Sequence, residues 1–326
     1  MSNAAESECN SAFVFLKPHT SSSDRAAPFV ENFLSYRNLI IAKKGVLTIS
    51  KPLWENLIDK TYPEACQRAL VSKPASCPTT EQQKSAFFFH FGENWDECVE
   101  NKIVLNAVDA CSYLEVSHKE LVDLWIQNSR EQSKYAELSR WMKCCCIDTV
   151  QGKRPIYCVN GFYLGLRGLF SSSAVSVPFF VVEWKLGQYT WEQFSEKIIG
   201  EESPERSGAT TLRGAMYRDW ETIGIESPPS AVDDCVHASE SAFAALVEKK
   251  NWIPQWDVRR DYFFVQLRKS GIGQSQLEKL ELNPVLRKEK TYVYNMLRNH
   301  DAVSSLPILR GLVNDHAADL LYEYPR

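Results

Sequence analysis

Apolar and polar positions fall into blocks whose period changes along the chain, and those changes mark out its elements. Residues 12–16 form an unbroken apolar run of strand length, ending at Lys17-Pro18, where proline cannot continue a hydrogen-bonded ladder. Lys17 therefore stands at a strand end, pointing into whatever cleft forms there. A serine-rich loop follows, and from a capping Asp24 the positions Phe29, Phe33 and Leu34 share one side of a helix reaching Tyr36. Residues 39–41 and 46–49 predict an extended segment, with Lys43-Lys44-Gly45 as a bulge or bend. Ser50 is placed to cap a helix that carries Leu53, Trp54, Leu57 and Ile58 toward Tyr62.

Residues 63–80 read as a linker containing proline and cysteine, and helical spacing then recurs around 94–101, 105–114 and 117–128. Ser117-His118-Lys119-Glu120 is a capping box for the last of these. Residues 144–150 and 154–159, joined at Gln151-Gly152, predict a hairpin. A buried strand over 177–184 precedes a helix over 190–199 that closes at Gly200, and 201–209 is a loop. A second loop, 222–233, carries proline and serine. Beyond Trp252, helices are predicted over 257–269, 275–281, 284–298 and 306–324, with aromatic faces and no residue of obvious chemistry. Leu306-Pro307-Ile308-Leu309 and Leu320-Leu321-Tyr322 suit packing on the core or on a partner.

Composition narrows the class. A chain of 326 residues, 44% hydrophobic and 24% charged, is a soluble globular protein of one large or two ordinary domains. A net charge of −4 gives no case for nucleic acid, and no apolar run approaches the ~20 residues of a membrane helix. The polar, acidic start resembles neither a secretory signal nor a transit peptide, so the expected location is cytoplasmic. Ten cysteines include no Cys-x-x-Cys pair; they read as reduced and packed, without a zinc site. His90 and His118 lack partners at metal-ligand spacing and read as structural.

The candidate chemistry lies around His237. This residue ends a short, partly apolar run and is followed by Ser239 and Ser241, natural caps for a helix whose Phe243, Leu246 and Val247 share a face. Glu248 lies eleven residues past His237, so a chain turning at the serines brings its carboxylate back to the imidazole. That arrangement fixes the ring tautomer and leaves the other nitrogen to attack. On spacing alone, a satisfied histidine at a strand end is the better reading.

Asp234-Cys235-Val236-His237-Ala238-Ser239-Glu240-Ser241, followed by Glu248, resembles the active-site signature of nucleoside diphosphate kinases, Asn-x-x-His-Gly-Ser-Asp-Ser with a glutamate on the next helix. Lys17-Pro18-His19 is similar to the family's first-strand Lys-Pro-Asp, and Asp59-Lys60-Thr61-Tyr62 sets Tyr62 on its His-Tyr. The stretch from Asn160 to Arg167 resembles the family's Pro-Phe-Phe helix, with Tyr163 on the aromatic that stacks against the base. Thr210-Thr211-Leu212-Arg213-Gly214 is close to Gly-Thr-Ile-Arg-Gly, which makes Arg213 the phosphate-clamping arginine.

The resemblance implies an α/β (α+β) sandwich with a ferredoxin-like four-stranded antiparallel sheet covered by helices. Its two parts, 11–62 and 161–252, would be split by a mainly helical insertion, 63–160, and followed by a helical extension, 253–326, as in enlarged protist-type members. It implies that His237 takes the terminal phosphate of a nucleoside triphosphate and passes it to a nucleoside diphosphate. Glu248 would orient the imidazole and Ser239 order the loop. Lys17, Tyr62 and Arg213 would hold the phosphate, with Mg²⁺ carried by the nucleotide.

The sequence departs from the family at Glu196, Glu202 and Asp234, where acceptors replace an arginine, a threonine and an asparagine, and mildly at Glu240. Lys197 would replace the lost arginine, and Glu202 would bridge Mg²⁺. The alternative is a non-catalytic or nucleotide-sensing interaction protein on the same fold, in a cytoskeletal or flagellar assembly. Its partners would bind through 63–160 and 253–326. Oligomeric state stays open.

Overall fold

The structure, a computed structural model, describes residues 8–49, 51–148, 150, 152–170, 175–230, 234–286 and 289–315. The chain divides into two compact units. The first comprises Met1–Leu57, Leu169–Pro284 and Val293–Leu321; the second comprises Ile58–Gly168, Val285–Tyr292 and Tyr322–Arg326. Their two main sheets use, in chain order, β1 (Cys9–Leu16), β2 (Ile40–Ile49), β3 (Val104–Asn106), β4 (Tyr135–Ser139), β5 (Met142–Ile147), β6 (Ile156–Val159), β7 (Val175–Lys185) and β8 (Val236–Ala238).

The first unit is an α/β sandwich on a four-stranded sheet ordered β2-β7-β1-β8, with every neighbouring pair antiparallel. The helix Ala26–Tyr36 joins β1 to β2, and the helices of residues 191–199 and 212–223 lie between β7 and β8. That is the ferredoxin-like order. β1 is central, and Phe13, Val14, Phe15 and Leu16 are all fully buried, which is why its sequence is an apolar run rather than an alternation. β2 is an edge strand, and it bulges between Ile41 and Lys43, ahead of the lysine pair. Val30 and Leu34, with Ala26, form the buried stripe of the first helix; Phe29 and Phe33 are only half-buried, and the N-cap is Arg25 rather than Asp24. Ser50 lies outside the described residues.

The helix Ala242–Trp252 is buried at every position except Lys250 and Asn251. A helix apolar on most sides needs cover on most sides, and the chain beyond Trp252 supplies part of it. Phe243 meets Tyr294 edge to face at 5.2 Å. The helices Tyr262–Lys269, Gln274–Glu281 and Ser305–Asp315 belong to this unit. The expected helix 306–324 is described only to Asp315; Leu320-Leu321-Tyr322 lie outside the described residues.

The second unit carries a sheet among its helices. It has its own sheet, β3-β6-β5-β4, parallel between β3 and β6 and antiparallel elsewhere. The hairpin predicted over 144–159 is β5–β6. The unforeseen strands are short, and β3 is directly capped into a helix: Asn106 accepts from Asp109 N–H at 2.7 Å, so three strand residues hide within one apolar block. The 63–80 stretch is no linker. Pro63–Cys66 is helical and runs into a π turn, Gln67–Val71, with a buried Glu64–Arg68 pair at 2.8 Å. The helix Glu81–Phe91, missing from the sequence reading, opens with a capping box on Thr80 and Gln83. Its Phe87 meets Trp95 and Tyr157 at 5.1 and 4.9 Å in the core.

The boundaries fall at Leu57/Ile58 and Gly168/Leu169, so most of the helix Phe162–Leu169 belongs to this second unit. The helix expected over 284–298 is instead a hairpin, Val285–Leu286 with Thr291–Tyr292, followed by the short helix Val293–Leu297. All ten cysteines are free, and burial holds the Cys144 and Cys158 thiols far above their ordinary range. Among the described residues no helix is long and apolar enough to cross a membrane.

Candidate active site around His237

β8 is three residues long and pairs antiparallel with β1, setting His237 opposite Phe15. The imidazole stacks on the Phe15 ring at 4.6 Å and 22°, and Phe15 stacks in turn on Trp252 at 4.6 Å. Behind the strand, Ser241 caps the helix Ala242–Trp252 by accepting Ala244 N–H at 3.1 Å. Almost two turns further along that helix, Glu248 turns inward, 4% exposed. Its Oε1 lies 3.1 Å from His237 Nε2, and its Oε2 accepts from Ser239 Oγ at 2.6 Å. A carboxylate this buried must be paired, and this one divides itself between two side chains from one short turn. Ser239 is fixed from three sides. Its Oγ accepts Phe13 N–H at 2.9 Å, its own N–H donates to Phe13 O at 3.0 Å, and Trp191 Nε1 donates to its carbonyl at 3.1 Å. With Nε2–H given to Glu248, a neutral imidazole carries its lone pair on Nδ1.

A second cluster adjoins the first through Val236. Lys17 leaves the end of β1, where its backbone N–H donates to Cys235 O at 2.9 Å, and its Nζ lies 3.6 Å from Asp234 Oδ2. Arg213 Nε donates to that same oxygen at 3.1 Å, Nη1 to Gly200 O at 2.7 Å, and Nη2 to Val236 O at 3.0 Å. Asp234 Oδ1 accepts Val236 N–H at 3.1 Å. Burial alone would push the Asp234 carboxyl up; Arg213 and Lys17 outweigh it and hold the group below its ordinary value. Lys17 and Arg213 are each 7% exposed.

The Thr-Thr-Leu-Arg-Gly run explains the arginine's placement. Thr211 caps the helix Leu212–Arg218 by accepting Gly214 N–H at 3.2 Å. A Cβ at Gly214 would strike the backbone carbonyls of Gly208 and Ser207. Gly200 has φ of 96°, and a Cβ there would collide with Ser207 Oγ and Thr211 Oγ1. The glycine read as a helix stop therefore also delivers a carbonyl to Arg213.

Lys17, Arg213, Asp234, His237, Ser239 and Glu248 thus form one linked assembly. Tyr62 belongs to the second unit, 6% exposed and edge-on to Trp141 at 5.5 Å. Tyr163 is fully buried in the second unit. Its hydroxyl donates to Asp59 Oδ1 at 2.8 Å, and Arg167, one turn on, grips both Asp59 oxygens at 3.1 Å. Burial first, and then Cys66 and Asp59, drive that hydroxyl well above its ordinary range. Lys197 is exposed on the π turn Phe194–Ile199 and makes no ion pair with a described residue. Glu196 is exposed and Glu202 half-buried, and the described residues hold no group of three His, Cys, Asp or Glu suited to a metal ion.

Sequence reasoning missed Phe15 beneath the imidazole, although period two on β1 sets Phe13 and Phe15 on one face. It also missed the buried pair of Lys249 with Asp261, 2.5 Å apart, for which no local signal exists.

No protein-family model matches the chain, and no curated protein matches it. Among solved structures, the chain has a likeness to an NDP kinase from Pyrobaculum aerophilum, at 12% identity and a TM-score of 0.37, over 77% of this chain and 98% of that one. A likeness that slight carries no argument about the site.

Proposed function

We propose that the chain is a nucleoside diphosphate kinase-like phosphotransferase that carries phosphate on His237. The reading is supported above all by one observation: His237 Nε2 at 3.1 Å from Glu248 Oε1, with Ser239 on the carboxylate's other oxygen. In the reaction, the Nδ1 lone pair attacks the terminal phosphorus of a nucleoside triphosphate. The N–P bond forms as the bond to the bridging oxygen breaks, and the diphosphate leaves with that electron pair. A second nucleoside diphosphate then attacks phosphohistidine through its terminal oxygen, and the pair returns to Nδ1. Glu248 holds Nε2–H throughout and stabilises charge on the ring. Lys17 and Arg213 oppose the phosphate charge in part, because both already face Asp234. Mg²⁺ belongs to the incoming nucleotide.

The test is incubation with Mg²⁺ and ATP labelled on its terminal phosphate. Acid-labile, base-stable label in the native chain and none in His237→Ala is the expected result. Label that survives in His237→Ala, or no label in the native chain, overturns the reading.

A second reading is a nucleotide sensor without turnover, favoured by Asp234. One carboxylate already engages both cations that the resemblance assigns to phosphate. A titration showing nucleotide binding in the absence of any phosphohistidine would select this reading over the first.

A further inference from the structure

Beyond Trp252 the chain returns to both elements that hold His237's partners. Lys249, the residue after Glu248, is 1% exposed; its Nζ sits 2.5 Å from Asp261 Oδ2 and donates to Ser11 Oγ on β1 at 2.9 Å. Asp261 also caps the helix Tyr262–Lys269, accepting Phe263 N–H at 3.1 Å. Successive helix positions point about 100° apart, so Glu248 and Lys249 leave the helix Ala242–Trp252 in different directions. Holding both heads fixes that helix's rotation and hence the approach of Glu248 to the imidazole.

The serine turn is held too. Asn299 N–H donates to Glu240 O at 2.9 Å, and Ala242 N–H donates to His300 O at 3.1 Å, on the chain between Ser239 and the helix. Ala302 N–H is tied to Asn10 Oδ1 at 3.0 Å, and Asn10 is 1% exposed on β1. A buried ammonium stripped of its carboxylate is costly; Asp261 is the carboxylate in direct contact with Lys249, and Glu183 of β7 adds its charge nearby.

We propose that segments 257–263 and 299–302 brace the His237–Glu248–Ser239 centre, with Asp261, acting through Lys249, as the positioning residue for Glu248. The inference rests on the reading of His237 as the working imidazole, but its main readout does not require turnover. That readout is the low-field proton resonance of His237 Nε2–H, identified by its loss in His237→Ala. In Asp261→Asn this proton exchanges with solvent about tenfold faster and phosphohistidine forms about tenfold more slowly, while far-ultraviolet circular dichroism is unchanged. Asp261→Glu restores most of both, and Asp123→Asn, which breaks a pair with exposed Lys119, changes neither. In a Glu248→Gln background, Asp261→Asn has no further effect on the proton.

An Asp261→Asn chain that melts earlier but keeps the native exchange rate of that proton overturns the proposal. If Asp261→Asn fails to fold, Ser11→Ala carries the same readout; an unchanged exchange rate there is the negative result. Faster exchange in Asp261→Asn, with no phosphohistidine even in the native chain, supports the brace and removes the transfer reading.

Discussion

The two halves of the cluster around β8 are equally buried but differently arranged. In the imidazole half, a single carboxylate serves one ring nitrogen and one hydroxyl. In the cation half, a single carboxylate faces an ammonium and a guanidinium, and two backbone carbonyls take further donors from Arg213. The first half pairs a carboxylate with a ring nitrogen and a hydroxyl; the second balances a carboxylate against two cations. The contrast teaches that a recurring set of residue types does not by itself make a phosphate clamp. What matters is which charges the fold has already neutralised.

The strongest way to break the comparison is Glu248→Ala. It removes the acceptor shared by His237 and Ser239, so phosphohistidine formation should fall about 10²–10⁴-fold and stability by about 2 kcal/mol. A variant that labels at the native rate would remove the imidazole half from the mechanism.

Asp234→Asn tests the other half, and it restores the amide that the resemblance places there. Two like charges ~4 Å apart at an effective dielectric near 20 repel by about 4 kcal/mol, so triphosphate affinity should rise by up to about three decades. The fold should lose about 3 kcal/mol, because two buried cations lose their carboxylate. Calorimetric binding and a denaturant midpoint measure the two effects, and unchanged affinity would mean that Lys17 and Arg213 do not meet the nucleotide. The same variant carries a pH signature. Asp234 is harder to protonate in the folded chain than in the unfolded one, so its stabilisation is full above about pH 4 and is lost as pH falls through its lowered folded value. Acid titration of the native chain should show that limb, and Asp234→Asn should lack it.

The smallest effect sharpens the contrast between the two tyrosine roles. Tyr163→Phe keeps the ring and removes the hydroxyl's bonds to Asp59 and Cys66, so it should cost about 1 kcal/mol and leave nucleotide affinity unchanged. A large loss of affinity would return Tyr163 to a base-stacking role.

Much of the first unit was legible because its signals are local. The apolar run before Lys17, the bulge near Lys43, the hydroxyl cap at Ser241 and the helix carrying Glu248 each depend on neighbours within a few residues. Parts of the second unit were misread because a three-residue strand before a capping asparagine and a π turn after a proline leave no periodicity long enough to read.

For the site, the sequence by itself determined which side chains could do the chemistry, and their order along the chain. It set His237 eleven residues before Glu248, with serines to turn between them, because a helix and a cap are decided by adjacent residues. Only the tertiary structure decided their state. It brought Asp234 onto both cations, turned Tyr163 toward Asp59 across 104 residues, and matched buried Lys249 to Asp261. Charge pairing acts through space, with a strength set by burial, and neither distance nor burial is written in the order of residues.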